Sequence, residues 1–193
     1  MVMTQRQALE VVLKHRGERI VVTTMSAAGI WPELSHSPLD FAYIPSAMGH
    51  GPSLGLGLAL AQPTRGVIVL NGDGCTLMSL GNLVTLAQRR ANVHVIVLDN
   101  GHYEVTGGQP HAGSGIVDYA QIAMGAGVGR AYSFNTLRAW QAGAAEALGG
   151  AGPAVIHLEI EARMGQKTPK PPRPMAEQIQ RLQEALGVVS IGK

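Results

Sequence analysis

"VLNGDGCTLMSLGNLVTLAQRRANVHVIVLDNGHYEV" covers Val69–Val105. One apolar run ends in a glycine-flanked aspartate, Gly72–Asp73–Gly74, and the next ends in Asp99–Asn100–Gly101. Gly66–Leu70 and Val93–Leu98 are continuous apolar runs, the pattern of strands buried on both faces. Between them Thr76–Arg89 carries Leu77, Leu80, Leu83, Val84, Leu86 and Ala87, a broad helical apolar face. Strand, helix and strand in this order make a right-handed crossover within a parallel sheet.

The same alternation continues on both sides. Thr4–His15 has helical spacing, with Gly17 as a stop. Arg19–Thr24 reads as a strand. Ser26–Ser46, with three prolines, reads as an ordered loop. Pro52–Ala61 is small and apolar all round, which suits a short buried helix. Gly101–Gly115 is a glycine-rich loop, Tyr119–Met124 a short helix and Arg130–Ser133 a strand. Thr136–Leu148 is a helix that Asn135 caps. Ala154–Ile160 is a further strand and Met175–Leu186 a last helix. The fold class is therefore α/β, a three-layer α/β/α arrangement with a mainly parallel sheet. The 193 residues form one domain, 1–193, in which 165–174 is a proline-rich linker to the C-terminal helix.

Composition narrows the function. The formal net charge is +2 and 15% of residues are charged, with the only basic cluster inside the proline-rich "KTPKPPRP". That excludes a nucleic-acid face. One cysteine, Cys75, allows neither an internal disulfide nor a cysteine metal cluster, which suits a reducing cytoplasm. "MVMTQRQALE" is not a signal peptide, and no apolar stretch is long enough to span a membrane. The 25 glycines point to tight turns and close backbone approach, between elements or to a ligand.

Ligands of open α/β sheets sit at the carboxyl ends of the strands. Both turns of the opening stretch lie there, and the crossover brings them side by side. Asp73 and Asn100 then face one spot. A carboxylate and an amide oxygen are hard donors of the type that Mg²⁺ prefers, and Mg²⁺ takes its remaining oxygens from water and phosphate. The helix start near Thr76 offers backbone N–H groups at the same place. A metal-bound diphosphate accounts for both turns on physical grounds.

These residues resemble the motif of the thiamine diphosphate-dependent enzymes: Gly-Asp-Gly, about thirty residues, then an asparagine pair. Here the pair reads Asp99–Asn100, a departure at its first member. The resemblance implies a metal held by the side chains of Asp73 and Asn100 and the backbone carbonyl of His102. "IPSAMGHGPSLGLGLALA" (Ile44–Ala61) is similar to the family segment in which a large apolar residue bends the cofactor. Met48, before Gly49, takes that position, and the Ser46 carbonyl would face the cofactor amine. "DNGHYEVTGGQP" (Asp99–Pro110) resembles the sulfopyruvate and phosphonopyruvate decarboxylase branch. The cofactor shell implied is Ser46, Met48, Gly49 and His50, then Gly72, Asp73, Gly74 and Cys75, then Asn100, His102, Tyr103 and Glu104. Cys75 would donate its backbone N–H to phosphate.

The resemblance also implies what is missing. The family activates its cofactor with a glutamate from a separate pyrimidine-binding domain. Glu33 and Glu104 are the glutamates nearest the motifs, and neither occupies that position. The chain is thus similar to a sulfopyruvate decarboxylase β subunit, which works with a second subunit carrying the glutamate. The expected activity is Mg²⁺- and thiamine diphosphate-dependent decarboxylation of a small 2-oxo acid. The alternatives are another 2-oxo acid lyase or ligase of the superfamily, or an orphan, non-catalytic cofactor-binding protein. Isolated, the chain is expected to self-associate. Of the histidines, His50 and His102 are the catalytic candidates and His111 a further contact. His36 lies in the long loop, His94 is structural, and His15 and His157 belong to the surface or a strand edge.

Overall fold

The computed structural model describes residues 2–45, 48–165 and 167–188. The elements run α1 (Gln5–His15), β1 (Ile20–Thr23), α2 (Ala27–Leu34), β2 (Asp40–Ala42), α3 (Gly51–Ala61), β3 (Val67–Gly72), α4 (Asp73–Met78), α5 (Gly81–Arg89), β4 (Val93–Asp99), β5 (His102–Tyr103), β6 (Gln109–Pro110), α6 (Tyr119–Gly125), β7 (Ala131–Phe134), α7 (Leu137–Ala147), β8 (Ala154–Glu159) and α8 (Met175–Ala185). Six strands form a wholly parallel sheet in the order β2-β1-β3-β4-β8-β7. β5 and β6 form a separate antiparallel pair.

Alternation within each strand divides the core into two layers. Ile68, Leu70, Ile96, Ile156 and Leu158 face α1, α2 and α7, where Leu9, Trp31 and Trp140 fill the space. Val67, Val69, Val93, Val95 and Val155 face α3, α5, α6 and α8, against Leu56, Leu83, Leu86 and Leu182. Strands apolar on both faces are what a sheet covered on both sides requires. α1 starts with a reciprocal capping box between Thr4 and Gln7. α8 lies beyond the proline-rich stretch, and its Gln178 side chain accepts the N–H of Ala42 on edge strand β2 at 2.9 Å.

Three expectations need correction. Ser26–Ser46 holds α2 and β2 within its described part, where a loop was expected. Pro32 lies inside α2 and obscures an apolar face of Ala27, Ala28, Ile30 and Trp31 that is buried on the sheet. Thr76–Arg89 is two helices, because Ser79 leaves helical geometry at φ −146°, ψ 49°. The turn before α3 packs into that break: the Asn82 amide donates to the Gly49 carbonyl at 2.8 Å. Gly49 has φ +86°, and a Cβ there would meet Ser79 Oγ at 2.5 Å. α7 is capped by Thr136, whose side chain accepts from the Ala139 N–H, and not by Asn135.

Candidate functional site

β1, β3 and β4 are neighbours, and register pairs Gly72 with Leu98. Their carboxyl ends therefore open together. A cleft opens there. Met25 and Ser26 line it from the end of β1, Gly72–Cys75 from the end of β3, and Leu98 and Asn100 from β4. Met48, His102, Tyr103 and Glu104 complete the wall.

Asp73 organises this end of the sheet. Its side chain is buried. Oδ1 accepts the Gly74 N–H at 2.6 Å; Oδ2 accepts the N–H groups of Asn100 at 2.9 Å and Gly101 at 2.7 Å. The turn after β4 is thus tied to the turn after β3. Gly101 has φ +73°, and a Cβ would meet Ser114 Oγ at 2.6 Å, so both backbone and space require glycine. Within the turn Asn100 Oδ1 accepts the His102 N–H at 2.8 Å, and the His102 ring Nδ1 donates to the Asn100 carbonyl at 2.7 Å. The Tyr103 ring lies against Gly74, where a Cβ would collide with it. Gly72 has open space where its Cβ would be, so the floor of the cleft admits a ligand to the backbone.

Two histidines brace the carboxylates. His111 is buried, and its Nε2 lies 3.1 Å from Asp73 Oδ2. The Gly113 N–H donates to His111 Nδ1 at 3.0 Å. Nδ1 is therefore the acceptor, the proton sits on Nε2, and Nε2 donates to Asp73. A protonated ring nitrogen cannot bind a metal. The donor atoms of Asp73, Asp99 and His111 all lie within 4.8 Å of one another, yet His111 serves to orient the Asp73 carboxylate. Asp99 is fixed from the other side: Oδ1 accepts the Gly101 N–H at 3.0 Å, and Oδ2 meets His157 Nε2 at 2.9 Å.

Burial first, and the neighbouring Asp99 second, push the Asp73 carboxyl up to about 6. Burial acts on Asp99 in the same sense, but hydrogen bonds from His157 and Asp73 outweigh it and hold Asp99 below its ordinary value. Without a cation Asp73 takes up a proton as pH falls through about 6, while Asp99 stays ionised to lower pH. A divalent cation can take the place of that proton. The Asp73 carboxylate, the Asn100 amide oxygen and the His102 carbonyl are all hard oxygens, a donor set that fits Mg²⁺.

Of the residues singled out in the sequence, Met48, Gly72, Asp73, Gly74, Cys75, Asn100, His102, Tyr103 and Glu104 line one cleft. Gly49 is buried behind it, beside Ser79. His50 is exposed, outside the cleft, with its Nδ1 donating to the Met48 carbonyl at 3.1 Å. Ser46 lies outside the described residues. Cys75 is buried, which pushes its thiol up and disfavours a thiolate. Glu104 is buried too. Its Oε1 accepts the Arg163 N–H at 2.6 Å, and its Oε2 has no hydrogen-bond partner among the described residues. Glu33 is exposed, paired with Arg6, and does not line the cleft.

His157 corrects the sequence reading. It is 5% exposed on β8, an internal strand, and not at the surface. A histidine in the otherwise apolar "AVIHL" was a signal that it needed a polar partner inside. His94 is fully buried, as expected of a structural residue.

The family model for the C-terminal TPP-binding domain of thiamine pyrophosphate enzymes matches residues 23–158. A phosphonopyruvate decarboxylase of Streptomyces hygroscopicus is 40% identical over 119 residues, 61% of this chain and 29% of that one. The sulfopyruvate decarboxylase subunit beta of Methanothermobacter thermautotrophicus is 39% identical over 127 residues, 65% of this chain and 64% of that one. The matched regions thus span under a third of the first relative and just under two thirds of the second. The solved benzoylformate decarboxylase of Polynucleobacter necessarius superposes with a TM-score of 0.68 at 21% identity, over 83% of this chain and 33% of that one, a likeness of fold.

Proposed function

The chain belongs to the thiamine pyrophosphate enzymes, and from that premise we propose that it is the diphosphate-anchoring half of a two-chain 2-oxo acid decarboxylase. The observation that carries this is the joining of the two turns: one buried carboxylate, Asp73, takes backbone N–H groups from Asn100 and Gly101 beside an open glycine floor at Gly72. In this reading Asp73, Asn100 and the His102 carbonyl hold Mg²⁺. Backbone N–H groups after Gly74, that of Cys75 among them, receive phosphate. Met48 presses on the cofactor from the opposite wall. When bound, the cofactor supplies a nucleophilic carbon and an electron sink for the departing CO₂.

The chain's own task is to anchor, bend and shield. Glu104, the one glutamate lining the cleft, already has an oxygen committed to the Arg163 backbone. The activating glutamate then comes from a partner subunit of pyrimidine-binding type. The beta-subunit relative supports that division of labour. Both decarboxylase relatives support a small 2-oxo acid carrying a second strong anion, sulfonate or phosphonate. A cytoplasmic setting suits the single buried cysteine. Among the described residues no helix is long and apolar enough to cross a membrane.

The test is CO₂ release from sulfopyruvate and phosphonopyruvate by the purified chain, alone and with the second subunit. Activity only in the mixture is expected. Full turnover by the chain alone would give the partner's role to an acid of this chain, Glu104 first, and end the two-chain reading.

A further inference from the structure

We infer that Ser133, His157 and Asp99 form a positioning chain, running in from an edge strand, that sets the geometry of the metal-binding turn. The inference rests on the reading of Asp73, Asn100 and the His102 carbonyl as metal donors. The three residues come from three strands. Ser133 lies on edge strand β7, His157 on β8 and Asp99 at the end of β4, and these strands are neighbours in the sheet. Ser133 Oγ lies 3.1 Å from His157 Nδ1, and His157 Nε2 lies 2.9 Å from Asp99 Oδ2. The Tyr119 ring packs on the imidazole at an interplanar angle of 61°, with centroids 5.2 Å apart. Both ring nitrogens are engaged and the ring cannot rotate without breaking a bond.

What this chain holds is the other oxygen of Asp99. Asp99 Oδ1 accepts the Gly101 N–H, which also points at Asp73 Oδ2. One backbone N–H is thus shared between two carboxylates, and it belongs to the residue between Asn100 and His102. That N–H lies in the Asn100–Gly101 peptide plane, so holding it fixes the backbone that carries the Asn100 side chain and leads to the His102 carbonyl. An asparagine at position 99 would offer Gly101 a neutral oxygen, whereas the aspartate offers a charged and stronger acceptor. The same aspartate puts a second negative charge beside Asp73, and His157 gives it a donor that keeps it turned towards the Gly101 N–H. His157 and Ser133 touch neither metal nor cofactor in this arrangement. They act through Asp99.

Outer groups that orient metal ligands typically account for about 10–100-fold in metal affinity. The experiment titrates Mn²⁺ into the full chain with thiamine diphosphate present and reads free Mn²⁺ by electron paramagnetic resonance. His157→Asn keeps the Ser133 contact and loses the donor to Asp99; it is expected to weaken Mn²⁺ by about 10–100-fold. His157→Gln can place its amide where Nε2 stands, and is expected to restore most of the affinity. In an Asp99→Ala background the His157→Asn loss is expected to vanish, since coupled residues are not additive. His157→Asn and His157→Gln with equal affinity, or losses that multiply in the double variant, would overturn the positioning chain. So would variants indistinguishable from a parent that binds Mn²⁺. A parent that binds no Mn²⁺ with thiamine diphosphate would remove the metal–diphosphate reading, and this inference with it.

Discussion

Asp73 does two things, and a substitution there tests both. Its carboxylate accepts four hydrogen bonds, three of them from backbone N–H groups. Asp73→Ala leaves buried donors unpaired, at about 1–3 kcal/mol each. It should therefore lower stability even without metal. Asn100→Ala removes only an amide that closes a local turn, and should leave the urea midpoint nearly unchanged while abolishing metal-dependent cofactor binding. Equal midpoints for Asp73→Ala and the parent would contradict the account of the turn. His94 gives a prediction of another kind. Burial, with the charges of Arg19 and Arg130 behind it, lowers its pKa from 6.5 to about 4. The unfolded chain takes up this proton below about pH 6.5 and the folded chain does not until about 4. Stability is thus complete above pH 6.5 and falls as pH drops towards 4, by up to about 3 kcal/mol from this residue. The loss in denaturant midpoint between pH 7 and 4.5 should shrink in His94→Leu. The sequence displayed Asp73 and Asn100 plainly, because strand ends and glycines mark them. It could not display His111 or His157 as their supports, since those pairings join residues 38 and 58 positions apart through the fold.

The elements that matter most are the ones that fail to be regular. β3, β4 and the crossover between them were legible, because a doubly buried strand reads as an unbroken apolar run. The break at Ser79 was not, because Thr76–Arg89 keeps helical spacing across it. What interrupts the helix is tertiary: the turn at Gly49 takes its space and borrows Asn82. Gly49→Ala should therefore act on both segments. A side chain at φ +86° meets Ser79 Oγ and, at 3.1 Å, the Cys75 carbonyl, which is worth about 1–3 kcal/mol of strain. Thermal unfolding should report the loss, and cofactor affinity should fall with it, since Met48 and Cys75 are displaced together. A variant as stable as the parent would mean that the 48–51 turn adapts freely, and that it does not brace Met48. α2 escaped the sequence reading for a local reason, the proline within it, although its apolar spacing was present throughout.

At the scale of the molecule, the cleft opens at the carboxyl ends of parallel strands, where the fold class alone would put it. On the proposed two-chain reading, this chain anchors the diphosphate and a partner supplies the activating acid. α3 carries apolar side chains that a partner could cover: Leu54 and Leu58 on one flank are only partly covered, and Leu60 on another is 53% exposed. Exposed apolar surface of this kind seldom stays in water, so the isolated chain should self-associate in sedimentation and revert to a defined complex when the partner is added. Persistence of a monomer at high concentration would argue against an uncovered face. Anchoring of a metal-bound diphosphate in this cleft is decided by calorimetry of thiamine diphosphate binding to the full chain. Saturable binding with Mg²⁺ that disappears with chelator and in Asn100→Ala is expected. Binding of equal strength with and without the metal, or in parent and Asn100→Ala alike, would contradict it.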